Sequence, residues 1–157
     1  MNLKSLIHCI ALGLLVACSW VMTSCDSFNE DLPECRLFVK FKYDYNMLFA
    51  DAFHTQVDKV ELYVFDEEGK FMFKQAEEGA SLGTGYYRMA VELPVGKYQL
   101  MAWAGARDSY DITSLTAGVS TLTDLKLQLK REESLIMSRK LEPLWYGEII
   151  DVEFTGT

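Results

Sequence analysis

The stretch from Asp58 to Asp66, DKVELYVFD, alternates with a period of two. In an extended chain Val60, Leu62 and Val64 fall on one side, and Glu61, Tyr63 and Phe65 on the other. β-Branched and aromatic residues at this spacing predict a strand. The first side is a core face; the second, with its two aromatic rings, is expected to be partly covered as well. The residues that follow, Asp66-Glu67-Glu68-Gly69, read as a tight turn in which Gly69 supplies a positive φ. Lys70 to Lys74 (KFMFK) is the return strand.

The same period recurs on either side of this hairpin. Upstream, Arg36 to Tyr43 (RLFVKFKY) places Leu37, Val39, Phe41 and Tyr43 on one face. Arg36, Phe38, Lys40 and Lys42 share the other. Between the two segments, Asn46 to Gln56 (NMLFADAFHTQ) is expected to form one helical turn or an irregular crossover. Downstream, residues 76–85 (AEEGASLGTG) read as a glycine-rich loop, and Tyr87 to Leu93 as a strand with Met89, Val91 and Leu93 inward. After a Pro94-Val95-Gly96-Lys97 turn, Tyr98 to Ala104 (YQLMAWA) is nearly all apolar, which suits a central strand. Gly105 to Thr121 is expected to be loop with a short helical turn near Ser114. Leu125, Leu127 and Leu129 alternate with polar residues, and Glu148 to Phe154 (EIIDVEF) is the last strand. Several short strands separated by turn signals predict an antiparallel all-β sandwich with Greek-key connections.

Composition agrees with one packed domain. Half of the 157 residues are hydrophobic and 13% are aromatic, which excludes intrinsic disorder for most of the chain. The formal charge of −8 excludes a nucleic-acid role, because phosphate binding needs a basic footprint.

Residues 1–25, MNLKSLIHCIALGLLVACSWVMTSC, form an address and not part of the fold. Lys4 is the positive n-region and Leu6 to Ala17 the apolar h-region of a secretory signal peptide. A membrane-spanning helix fits less well: His8 and Ser19 interrupt the run, and its far flank, DSFNED, is acidic. Two cysteines follow lipoprotein-like cleavage patterns, Leu15-Val16-Ala17-Cys18 and Met22-Thr23-Ser24-Cys25. Cleavage before Cys18 would leave an apolar scrap, Ser19 to Met22, on the mature chain. Cleavage before Cys25 uses the whole apolar segment and opens the mature chain on CDSFNEDLPEC. Cys25 is therefore the expected lipid-attachment site, with Cys18 the alternative. Acylation there, by chains such as palmitate, would anchor the protein stably, since each buried methylene contributes about 0.8 kcal/mol. The expected organisation is residues 1–24 as signal peptide, 25–35 as acidic tether and 36–157 as β-sandwich. Removal of the leader takes one cation, Lys4, and no acid, moving the charge from −8 to −9. Cys35 is then left alone, expected as a half-buried free thiol, and no intramolecular disulfide can form.

Catalytic chemistry has no candidate constellation, and the chain reads as no enzyme. His54, in AFHTQ, is the one histidine beyond the leader, and no nucleophile signature accompanies it. Acidic pairs occur at Glu67-Glu68, Glu77-Glu78, Glu132-Glu133 and across Asp151 and Glu153. The last pair sits about 7 Å apart on one strand face, a spacing that glycosidases use, but a solvated outer face explains it without chemistry. No spacing of metal ligands occurs, DEEG lacks the oxygen ligands of a calcium loop, and GASLGTG lacks the G-K-[ST] of a phosphate loop. No metal or cofactor is therefore expected. The aromatic residues Tyr43, Tyr45, Tyr63, Phe65, Tyr86, Tyr87, Trp103, Trp145 and Tyr146 raise a second reading, a surface glycan-binding module. That reading asks for three aromatics exposed on one face.

The ordered blocks CDSFNEDLPEC, KFKYDYN, MLFADAF, VDKVELYVFDEEGKF, LPVGKYQLMAWAG and LEPLWYG resemble the FimB-type fimbrial anchor lipoproteins of the Bacteroides group, an Mfa-type fimbrial subunit family. The resemblance runs from Cys25 to Gly147. It implies a transthyretin-like β-sandwich, an acylated Cys25 and a place in the outer membrane at the base of a fimbrium. It also implies fimbrial shaft subunits as partners, joined by β-strand exchange. Members continue into a second β-sandwich domain, which is absent from this sequence. Relatives can carry a second cysteine near the start of the second strand; Val57 to Val60 has none, which leaves Cys35 unpaired.

Overall fold

The computed structural model describes residues 35–47, 50–131 and 140–156. The leader, Cys18, Cys25, nearly all of the tether and the Glu132-Glu133 pair lie outside the described residues. Nine strands occur among those described: β1 (Leu37–Val39), β2 (Lys59–Asp66), β3 (Phe71–Glu78), β4 (Met89–Val91), β5 (Gly96–Ala104), β6 (Tyr110–Ile112), β7 (Leu127–Leu129), β8 (Trp145–Tyr146) and β9 (Ile150–Phe154). One helical turn, α1 (Phe53–Gln56), and a 3-10 turn at Leu122–Asp124 complete them.

The main sheet runs β3-β2-β5, with β8 and β9 both pairing β5 on its far side. A smaller sheet, β1-β4, lies across it, and β6 pairs β7 in a separate ribbon. Every pairing is antiparallel. The fold is an antiparallel all-β sandwich.

The alternation in β2 is what builds it. Val60, Leu62 and Val64 are buried in the core with Tyr98, Leu100 and Ala104 of β5, under Val39 of β1 and Met89 and Val91 of β4. Complete burial of an aliphatic side chain of this kind contributes about 1.5–3 kcal/mol. The other face of β2 is covered too: Tyr63 and Phe65 join Phe71 and Met101 in a second cluster, roofed by Ile112, Leu115, Leu122 and Leu125. The expectation of a partly covered second face is met, and Phe65 is fully buried.

The hairpin turn forms as expected. Gly69 adopts φ +75°, its N–H donates to the Asp66 carbonyl at 3.0 Å, and the Asp66 carboxylate accepts the Lys70 N–H at 2.8 Å. Several boundaries shift. β3 continues through Glu78, because β2 pairs it as far as Lys59↔Glu78. β1 is only three residues long, and 40–45 runs on without a ladder partner among the described residues. The helical turn expected near Ser114 is instead the 3-10 turn at Leu122–Asp124, where Asp124 accepts the Thr121 N–H at 2.8 Å. Cys35 is exposed and not half-buried; it lies at the surface where the described chain begins, and its thiol donates to the Gly156 carbonyl at 2.8 Å.

Candidate functional site

The two layers do not close along their whole width. On the β8–β9 side of the main sheet an apolar cleft of about 710 Å³ remains open. Its floor is the inner face of β2 and β5: Val60, Leu62, Leu100, Ala102 and Ala104. Two alanines on the floor supply the depth. One wall is the extended stretch from Val39 to Tyr45, and the other runs from Leu144 to Ile150. One edge of β1 and the outer edge of β8–β9, which have no strand partner among the described residues, therefore flank the same opening.

A parity change puts the second wall in place. Trp145 pairs with Ala104 and Tyr146 with Trp103, but Ile150 pairs with Leu100. Four residues on one strand thus match three on the other, as in a β-bulge, with the Gly147 N–H donating to the Ala102 carbonyl at 2.8 Å. As a result Trp145, Ile150, Val152 and Phe154 all face inward, while Asp151 and Glu153 stay exposed on the outer face. Asp151 there accepts a hydrogen bond from Gln99 at 3.0 Å.

The first wall is set by a carboxylate. Asp51 accepts the N–H of Tyr43 at 3.1 Å and of Phe53 at 3.0 Å, pinning both ends of the crossover. Burial works against the charge, yet the two backbone donors outweigh it and hold the Asp51 carboxyl below its ordinary range. Phe53 then stacks on Phe41 with centroids 5.4 Å apart, and Tyr43 meets Trp145 edge to face at 5.9 Å. Phe41, Tyr43, Tyr45 and Trp145 all line the cleft, and Tyr45 is 97% exposed. Of the aromatics singled out in the sequence, Tyr43, Tyr45 and Trp145 converge here, whereas the Tyr146 ring packs on Trp103 at 5.1 Å on the opposite face of the sheet. Tyr63 and Phe65 are core residues, and Tyr86 is exposed just after the glycine-rich loop. Phe41, Phe53 and the two alanines were not picked out as site residues. They belong to the site only because the layers part there.

Nothing in the cleft is arranged for group transfer. His54 is exposed on α1, and no cluster of three metal-ligating side chains occurs among the described residues. Glu61 is the buried acid, and its role is structural: Lys59 and Lys74 reach it at 3.4 and 3.2 Å and the Tyr63 hydroxyl donates to it at 3.1 Å.

Known proteins match this chain closely in both sequence and fold. A crystal structure from Bacteroides thetaiotaomicron, described as "putative polysaccharide binding proteins", superposes with a TM-score of 0.77 at 77% identity, covering 79% of this chain and 44% of that one. A structure from Bacteroides ovatus, described as a "putative adhesin", gives a TM-score of 0.71 at 32% identity over 85% of this chain and 45% of that one. The minor fimbrium anchoring subunit Mfa2 of Porphyromonas gingivalis is 23% identical over 150 residues, which are 94% of this chain and 46% of the relative. The chain thus spans less than half the length of the relatives it matches. They are described as binding, adhesin and anchoring proteins. The model of one family, "Fimbrillin-A associated anchor proteins Mfa1 and Mfa2", matches residues 32–156. On that match the chain belongs to the fimbrillin-A associated anchor protein family, a family of fimbrial and adhesin surface proteins.

Proposed function

We propose that the chain is the sheet-forming part of a lipid-anchored surface adhesion protein, and that its open cleft receives a polysaccharide. The observation that carries the reading is the gathering of Phe41, Tyr43, Tyr45 and Trp145 around one apolar opening. Sugar rings pack their C–H faces against aromatic side chains, and concave, mostly apolar sites with a few polar groups are the usual ligand sites. The description of the 77% identical protein supports the same reading.

A second reading is favoured by the family description and by the two strand edges that flank the cleft. In it the protein is a FimB-type anchor or accessory subunit at the base of a fimbrium. An extended segment of a fimbrial shaft subunit would lie along β1 or β8–β9 and cover the alanine floor, joining by strand addition. The Greek-key, transthyretin-like connectivity and the division into residues 1–24, 25–35 and 36–157 belong to this proposal. So does acylation of Cys25, with Cys18 as the alternative, holding the protein in the outer membrane. Cys25→Ser and Cys18→Ser variants, followed by detergent partitioning in a related host, test the anchor. Loss of the membrane fraction in Cys18→Ser alone would move the site to Cys18.

One experiment separates the two readings of the cleft. The purified protein is offered surface polysaccharide in affinity electrophoresis and, separately, a purified shaft subunit. Retardation by the polysaccharide without a subunit complex supports the glycan reading. A detergent-resistant complex with the subunit and no retardation replaces it with the anchor reading.

A further inference from the structure

The outer face of the small sheet carries a charge pattern of its own, which meets the wall of the cleft at Lys40. In β1 and β4, Leu37, Val39, Met89 and Val91 turn inward, so Arg36, Phe38 and Lys40 share the outer face with Arg88, Ala90 and Glu92. Phe38 pairs with Ala90 and is 58% exposed at the centre of that face. Arg36 is held by Glu92 at 3.1 Å, and Lys42 by Asp44. Lys40 and Arg88 have no ion pair among the described residues, and both are exposed. The register that sets Val39 opposite Met89, continued by one residue, sets these two cations side by side.

Two like charges set side by side just past the end of a ladder repel each other. On a chain of net charge −8, a face with three cations, one acid and an exposed aromatic ring at its centre is a local reversal of sign. An anionic surface resolves the repulsion, and an aromatic ring among cations suits the boundary between headgroups and acyl chains. The site of this face adds a constraint. Arg36 follows Cys35 directly, and the ten residues from Cys25 to Cys35 reach at most about 35 Å. An acylated Cys25 would hold this end of the sandwich close to lipid.

We propose that the outer face of β1–β4, through Lys40, Arg88 and Phe38, docks on a membrane surface of phosphate-bearing anionic lipids. It orients the domain, and in its setting it rests on the lipid-anchor reading above. Each cation brought to such a surface increases partitioning roughly fivefold.

The test uses the full protein purified from membranes and reconstituted in vesicles of phosphatidylcholine alone or with phosphatidylglycerol. Flotation reads attachment. Labelling of Lys40 with a water-soluble amine reagent, measured by mass spectrometry against Lys126 as the reference, reads the face. Flotation with both vesicles, with Lys40 labelling reduced several-fold only on the anionic ones and restored by salt or by Arg88→Glu, supports the proposal. Equal Lys40 labelling on both vesicles overturns it while the anchor stands. Flotation with anionic vesicles alone, with Lys40 protected, supports the face and removes the anchor. Flotation with neither overturns both. Protection of Lys40 by a soluble anionic polysaccharide, without protection by vesicles, overturns the membrane assignment in favour of an acidic glycan.

Discussion

Gly105 lies beneath the indole of Trp145. Its φ is +75°, and a Cβ at that position would stand 2.9 Å from Cζ3 of Trp145 and 2.2 Å from the Pro143 carbonyl oxygen. The Gly105 N–H donates to the Lys59 carbonyl at 2.9 Å, so the glycine joins the end of β5 to the start of β2. The wall of the cleft thus rests on a backbone position where no side chain fits.

Gly105→Ala is expected to cost more than about 2 kcal/mol. The left-handed conformation alone accounts for roughly 1–2 kcal/mol, and the clash with a backbone carbonyl adds to it. Urea unfolding followed by tryptophan fluorescence checks this, and the native emission should shift as Trp145 is displaced. A variant as stable as the parent, with unchanged emission, would show that residues 143–145 sit elsewhere.

Glu61 is 7% exposed and is enclosed by Lys59, Lys74 and Tyr63. Removing a buried acid leaves its partners uncompensated, so Glu61→Ala is expected to lose about 2 kcal/mol. The figure stays below that of a fully buried pair because the Lys74 side chain is 43% exposed. Glu61→Gln keeps a hydrogen-bond acceptor for Tyr63 and should lose about half as much. Equal losses in the two variants would assign the effect to packing alone.

Burial first, then the charge of Glu61 and its hydrogen bond, push the Tyr63 phenol well above its ordinary 10.0. A raised folded-state value means that the neutral phenol is favoured in the fold. Its contribution is whole below 10.0 and is lost as the pH rises toward the folded value. Stability should therefore fall in the alkaline range, and Tyr63→Phe should flatten that fall. Urea midpoints measured across the alkaline range decide it, and identical slopes in parent and variant would refute the assignment.

Asp51 gives the opposite sign. Its carboxyl is held below the ordinary 3.8, so its contribution is present above that value and lost as the pH falls through the lowered one. Asp51→Ala is expected to cost about 1 kcal/mol, as the loss of a cap-like carboxylate does. Amide exchange should quicken at Tyr43 and Phe53, whose N–H groups it accepts, while β2 stays protected. Uniform quickening across the sheet would contradict a local role.

The strands that decide the architecture were legible because they are buried on alternate sides. DKVELYVFD carries both clusters in one stretch, and every inward and outward assignment there agrees with the structure. Elements with weaker burial were not legible. Ala76 to Glu78 reads as loop, yet pairs with β2, and the adjoining Gln75 donates its amide to the Ala90 carbonyl at 3.0 Å. Leu82 sits in a glycine-rich stretch and is fully buried. The bulge at Gly147 reverses the alternation between Trp145 and Ile150, so no single period describes that wall. The cleft is a gap between layers, and no residue pattern encodes a gap. Tyr43, Tyr45 and Trp145 could be named from the sequence, but not Phe41, Phe53 or the convergence of the five.

Trp145 and Tyr43 give the cleft its aromatic walls, and Tyr86 provides an internal control. All three are aromatic, but Tyr86 is 93% exposed and does not line the cleft. If the cleft holds a polysaccharide, Tyr43→Ala should weaken retention about tenfold, equivalent to about 1.4 kcal/mol. Trp145→Ala should act at least as strongly, though part of its effect comes through the core it packs against. Trp145→Phe separates the two, since it keeps a ring in the wall and should retain most of the binding. Tyr86→Ala should bind as the parent does. The measurement is polysaccharide affinity electrophoresis, with thermal unfolding to show that each variant is folded. Equal losses in Tyr43→Ala and Tyr86→Ala would place recognition on the loops and leave the cleft to a strand. Unchanged binding in both Tyr43→Ala and Trp145→Phe, with a loss in Tyr86→Ala, would move the glycan site to the glycine-rich loop altogether.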